Sequence, residues 1–415
     1  MILEKYSFGV GDRFGRQGKA QLQAIISAKG EGIDITPVWN KSHREHTIIQ
    51  TSPGDVRIEA AGAVKVLGWS DSYFVDADHI GLQNVDLFID SSDFFTLDVA
   101  DFTGRAADES DIKAFVDKYK RFAGTLEIDG IDETLEISVE QIETIARKFL
   151  LAIGQAGKIY CHIAAAKSGD NFVTEVSMDE TDQPQTPIEM LFILAGIADE
   201  GIAAGTIAPK FSGRFNKGVD YVGEVAGFAK EFEQDLAVVA FAVKAFGLPE
   251  SLKLSVHSGS DKFSLYEPIN KALKKFDAGL HIKTAGTTWL EELAGLALAG
   301  GDGLSIAKEV YAKAMFRFDE LCAPYAAVID INKEKLPGGE VVDGWNGEEY
   351  AQVLRHDKLC DRYCPDFRQL LHVAYKIAAE MGNDFLNAVE EYEEIIAQNV
   401  TENIYERHIK PIFMA

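Results

Sequence analysis

Between residues 139 and 331, short β-branched runs alternate with stretches that carry helix-capping signals, and this alternation constrains the fold more than any other feature of the chain. A helical stretch over 139–166, interrupted at Gly154 and Gly157, leads into FVTEVSMDE at 172–180. Thr186, Pro187 and Glu189 then combine an N-cap, a proline in the first helical position and a carboxylate three residues after the cap. The runs TIAPKFS (206–212), LKLSVHS (252–258) and LHIKTAG (280–286) follow. A helix is expected between the first two, from about 220 to 246. Ser264 with Glu267, and Thr288 with Glu291, repeat the cap spacing after the second and third. AAVIDIN (326–332) is a further short apolar run. Strands separated by helices pair in parallel through right-handed crossovers. Upstream, ITPVW (35–39), SYFVDADHI (72–80) and FFTLDVA (94–100) read as strands too, which brings the count to eight. Eight such units predict an α/β fold, a (β/α)₈ TIM-type barrel over 1–340. An open doubly wound sheet is the alternative. The acidic helical pattern over 341–415 predicts a C-terminal helical extension packed on the barrel.

Composition narrows the function. Apolar residues make up 47% of the 415 and charged residues 26%, which excludes a disordered chain. With 41 Lys and Arg against 66 Asp and Glu, the formal charge is −25. Long-range repulsion therefore argues against nucleic acid or an anionic membrane as partner, but a small anion in a cleft responds only to the local field. The start MILEKYSF lacks the basic and apolar regions of a secretory leader, and the eight-residue apolar run Leu236 to Val243 is too short to cross a bilayer. Four scattered cysteines read as free thiols in a reducing compartment. A cytoplasmic enzyme, with homo-oligomerisation open, is the expectation.

In parallel α/β folds ligands bind at the carboxyl ends of the strands. Polar residues gather there: Asp76, Asp78 and His79; Asp98; Glu175 with Asp179 and Glu180; Lys210, Ser212 and Arg214; His257, Ser258 and Ser260; His281, Lys283 and Thr284. Such groups are costly to bury unless they are used or paired. Imidazoles with carboxylates suit Zn, Mn, Fe or Ni, and His79, His257 and His281 are the candidate ligands. Lys210, Arg214, Lys217 and Lys283 are candidates for holding a carboxylate or phosphate, with internal ion pairing as the other reading. Several common mechanisms lack their signatures. FGVGDRFG (8–15) places Phe14 where a dinucleotide-binding glycine belongs. GRFNKG (213–218) is followed by Val219 where a P-loop requires Lys, and HSGSD (257–261) is not a nucleophile elbow.

Five strings, VDADHI (75–80), FVTEVSMDE (172–180), KFSGRFNKGVDYVG (210–223), KLSVHSGSDKFSLYEP (253–268) and HIKTAGTTWLEEL (281–293), together resemble the tagaturonate epimerase family. The resemblance implies a divalent-metal-dependent barrel enzyme that interconverts D-tagaturonate and D-fructuronate by inversion at C4, without nicotinamide. A small anionic substrate accounts for cations on the rim of an acidic protein. On this reading His79, His257 and His281 hold the metal, and Asp78 and Glu175 are the acid/base pair, with Glu175 alternatively a fourth ligand. Lys210, Arg214, Lys283, Thr284 and Ser258 contact substrate. The C4 hydrogen is not acidified by the C2 ketone, so retro-aldol chemistry is expected rather than deprotonation at carbon. Another metal-dependent ketose isomerase, a class II-like aldolase, or a non-catalytic sugar-acid-binding or aldolase-partner subunit are the competing readings.

Overall fold

A computed structural model describes residues 1–169, 171–284 and 286–414. Ten strands are formed: β1 (Tyr6–Gly11), β2 (Thr36–Ser42), β3 (Phe74–Ile80), β4 (Phe94–Asp98), β5 (Gly124–Leu126), β6 (Leu135–Ile137), β7 (Val173–Ser177), β8 (Ala204–Ala208), β9 (Lys253–His257) and β10 (Leu280–Lys283). Eight close into a barrel in the order β1-β2-β3-β4-β7-β8-β9-β10, with β10 returning to β1, and every pairing is parallel. The short antiparallel pair β5–β6 interrupts the β4–β7 crossover. The expected (β/α)₈ barrel is therefore the fold.

The membership of the barrel differs from expectation at one strand. Residues 326–331 form no strand; the eighth strand is β1, at the other end of the chain. Its inward positions are Ser7, Gly9 and Gly11, so the alternation that marks a half-buried strand is hidden by small residues. The close approach of β10 requires one of them: a Cβ at Gly9 would lie 2.9 Å from Lys283 Cγ. The barrel is consequently complete by the helix Thr287–Ala299, and the additional helices begin at Gly301. They pack on Thr287–Ala299 and return to the helices Gly18–Gly30 and Phe263–Phe276.

Local signals hold in part. Thr186 caps Pro187–Asp199 with the expected reciprocal box. Ser264 and Thr288 are not caps: their helices start at Phe263 and Thr287, and the Ser264 N–H is instead bonded by Asp220 from another loop. Gly154 and Gly157 leave Val139–Ala166 a single helix of 28 residues. By length and composition this helix could cross a bilayer, but here it is the β4–β7 crossover, with Ile142, Phe149, Ile153 and Ile163 buried. All four cysteines are free thiols.

Candidate active site

The barrel interior changes character along its axis. At the amino end of the strands, Leu3, Val38, Phe74, Phe94 and Val173 form a small apolar plug of their own. Above it the inward positions are polar, because the strands place ionisable residues two apart on one face: Asp76 and Asp78 on β3, His281 and Lys283 on β10. His281 lies just above the plug. It is fully buried, its ring is 5.2 Å from that of Phe94, and its Nδ1 meets Ser7 Oγ at 2.9 Å. Burial, reinforced by Lys283, pushes its pKa down to about 3, so it is a neutral imidazole.

The next layer is built on Lys283. Its ammonium lies 2.8 Å from Asp76, 2.9 Å from Asp78 and 2.9 Å from Glu175, and donates to Thr96 Oγ1 at 2.6 Å. Three carboxylates around one ammonium cannot be neutralised equally. Burial lifts Asp76 to about 6 despite Lys283. Asp78 is held at about 2, and Glu175 well below its ordinary range, because Lys283 and the nearby imidazoles outweigh their burial. Glu175 also accepts from Thr206 at 2.7 Å, so its oxygens are fully engaged.

The top layer faces a cavity of about 700 Å³. Strict alternation would turn His79 away from the cavity, since Asp78 already points in. A register shift between β3 and β4 and a left-handed φ of 51° at His79 turn it back, so both side chains line the cavity. His79 Nδ1 meets Asp98 at 3.2 Å and its Nε2 stays free of close carboxylates, Asp78 lying 4.0 Å away. His257 Nε2 meets Glu175 at 2.7 Å. Its Nδ1 is buried and makes no hydrogen bond, although Asp179 Oδ2 is only 3.0 Å away. Among the described residues, His79, Asp179 and His257 are the one group whose ligand atoms converge, all within 4.8 Å of one another.

That arrangement fits a divalent cation. Each imidazole is braced at one nitrogen by a carboxylate, which fixes its tautomer and aims the other nitrogen inward. The unbonded Nδ1 of His257 beside a carboxylate oxygen is the geometry of two donors turned toward a common third partner. The surrounding field points the same way: Asp179 and Glu175 raise His257 to about 9 against its burial, and Asp78 and Asp98 raise His79. A site that favours imidazolium so strongly also favours a metal ion.

The remaining sequence candidates separate. Lys210 and Lys283 line the cavity. Arg214 does not; it turns outward to Asp330 at 3.3 Å. Ser258 donates to the Lys283 carbonyl at 2.6 Å, and Thr284 donates through its N–H to the Gly9 carbonyl at 3.1 Å, so both fasten strand ends together. His281 stands apart from the converging group. Asp179 takes the third position; it is visible in the sequence as a rim carboxylate, but nothing in its spacing marks it as a ligand. Arg13 and Arg44 also line the cavity; Arg13 follows β1, which has no strand pattern in the sequence, and Arg44 follows β2.

A sequence profile of the tagaturonate epimerase family, UxaE, matches residues 1–412. The chain belongs to the tagaturonate epimerase family. It is an enzyme, an isomerase acting on carbohydrates. A tagaturonate/fructuronate epimerase of Thermotoga maritima is 28% identical over 419 residues, covering 97% of this chain and 80% of that protein. Crystal structures of the fructuronate-tagaturonate epimerase UxaE from Cohnella laeviribosi superpose with TM-scores of 0.81 and 0.78, at 23% and 24% identity, covering 99% of this chain and 82% of theirs. At that identity the superposition speaks for the fold.

Proposed function

We propose that the enzyme interconverts D-tagaturonate and D-fructuronate by inverting C4, with a divalent cation held by His79, Asp179 and His257. The convergence of those three side chains in the cavity is the observation that carries the metal assignment. The family supplies the reaction. When bound, the cation would supply Lewis acidity to the ketose oxygens at C2 and C3.

The residues account for the rest. A base removes the C4 hydroxyl proton, the C3–C4 bond breaks, and its electron pair moves to C3 and the C2 carbonyl. C4 becomes an aldehyde. Rotation about C4–C5 presents the other aldehyde face, the bond reforms, and the proton returns to oxygen, so no net oxidation occurs. Asp78 is ionised and lines the cavity, so it is placed to accept the hydroxyl proton, although the Lys283 bond that keeps it ionised also weakens it as a base. Lys283, an ammonium between three carboxylates, links Asp78 to Asp76, the carboxyl able to carry a proton near neutrality. Glu175 serves as the brace for His257 rather than as acid or base.

Incubation of the pure enzyme with D-fructuronate in D₂O, followed by NMR, tests this. Tagaturonate should accumulate with its C4 hydrogen retained, EDTA should abolish turnover, and one of Mn, Zn or Ni should restore it. Deuterium at C4 would remove the retro-aldol route, and failure of every metal to restore activity would remove the cation.

A further inference from the structure

The cavity lining carries charges of both signs: Asp78, Asp98 and Asp179 beside the imidazoles, and also Arg13, Arg44, Lys210 and Lys217, with Glu45, Glu180 and Asp182 among them. Lys283, the obvious cation at a strand end, is consumed by its three carboxylates, and Arg214 is turned away. The second group is different. Arg13 is only 7% exposed, yet its Nε and Nη1 have no hydrogen-bond partner. Glu45 reaches it only loosely: Oε1 lies 3.4 Å from Nε, while Oε2 accepts from the Ser42 N–H in a capping box. A buried guanidinium with one long ion-pair contact and an idle Nη1 gains from a further acceptor. Among the described residues, Arg44, Lys210 and Lys217 have no ion pair.

The two arginines are held by the added helices. Arg13 stacks on the ring of Tyr375 at 4.3 Å and Arg44 on that of Tyr325 at 5.1 Å, while the two tyrosine hydroxyls bond each other at 3.0 Å. The segment expected to be a strand, 326–331, forms part of the wall: Ala327 and Val328 line the cavity, and the Val328 carbonyl accepts from the Lys217 N–H at 2.8 Å.

We infer that Arg13, assisted by Arg44 and Lys217, is the clamp for the C6 carboxylate of the sugar acid, with Tyr375 and Tyr325 as its positioning residues. The assignment rests on the proposed reaction and deepens it. A planar fork suits a carboxylate in a way an ammonium does not. It also answers a demand of the chemistry. After C3–C4 cleavage the C4–C6 half is a separate molecule, and an anchor at C6 keeps it in place while leaving C4–C5 free to turn.

Kinetics on D-fructuronate and on the neutral analogue D-fructose, with wild type, R13Q, R13K and R44Q, test the clamp. R13Q should raise KM for D-fructuronate at least ~30-fold with kcat changed far less, R13K should recover part of the loss, and R44Q should show a smaller effect of the same kind, as expected for loss of charge-assisted bonds that hold substrate and transition state alike. Preference for the acid over the neutral ketose should fall with KM. An unchanged KM in R13Q, or equal losses on both substrates, overturns the clamp. If wild type fails to turn over D-fructuronate, the proposed reaction fails on its own. Calorimetric titration of D-fructuronate then decides the clamp: it stands if R13Q weakens binding about tenfold or more and falls if the affinities match.

Discussion

Two imidazoles from one predicted set, His257 and His281, sit on adjacent strands of one barrel, yet their surroundings assign them opposite work. His257 has a carboxylate on each side and an unbonded Nδ1. His281 has a serine and a phenyl ring, and its buried, unbonded Nε2 has, among the described residues, no converging carboxylate and imidazole beside it. His257→Ala and Asp179→Asn should therefore reduce bound metal to about a tenth of wild type or less by elemental analysis, each removing one of three ligands. His281→Ala should keep its metal and lose about 2 kcal/mol or more of stability in denaturant titration, the result of a cavity in a packed interior. Metal lost from His281→Ala with the fold intact would return that residue to the ligand set. The raised value of about 9 at His257 gives the pH dependence its sign. Below it the metal must displace a proton, so affinity should rise with pH, up to about tenfold per unit for each imidazole deprotonated, and level off above about 9. Calorimetry in buffers of different ionisation enthalpy measures the released protons directly.

At the scale of strands and helices, what the sequence made legible is what repeats. β-branched runs before a Thr-Pro-x-Glu start, or ending in charged residues, announced β3, β7 and β9. β1 was silent because a neighbouring lysine stem occupies the space its side chains would fill, leaving Ser7, Gly9 and Gly11. Its absence concealed Arg13, which is readable as a rim residue only once β1 is a strand. Conversely, AAVIDIN has the look of a strand but is fastened by the Gln369 side chain to the Asp330 main chain and lines the cavity with Ala327 and Val328, a tertiary arrangement. The loop after β9 shows the same limit. Asp261, four residues beyond His257, is fully buried and held by Arg368 at 2.7 Å, His356 at 3.2 Å and His408 at 3.3 Å, partners 95 to 147 residues away. No local pattern reveals such a cluster. Asp261→Ala leaves the buried Arg368 guanidinium without its counter-charge and should cost about 3–5 kcal/mol. Because the loop leads directly from His257, metal affinity should fall as well. A variant with unchanged melting would show that the cluster is neutral in stability.

For the whole molecule, these contacts make the added helices part of the barrel rather than an appendage. Tyr375 supports Arg13 at the cavity, Arg368 and His408 secure the β9 loop, and Asn270 on a barrel helix donates to the Ile412 carbonyl at 2.9 Å near the chain's end. Tyr6 of β1 packs on Phe413 with ring centroids 4.9 Å apart, so the first strand and the last helix share one apolar contact. A chain ended at residue 340 would strand Asp261, bare the apolar faces of Phe263–Phe276 and Thr287–Ala299, and leave Arg13 unsupported. Buried charge and exposed apolar area of that extent exceed the ~5–15 kcal/mol by which folded chains are stable. The truncated chain should therefore be recovered aggregated or without a cooperative melt, and the full chain should unfold in a single calorimetric transition. Two resolved transitions, or a truncated chain with native circular dichroism and its own sharp melt, would mean that the barrel stands alone and that the helices serve the cavity only.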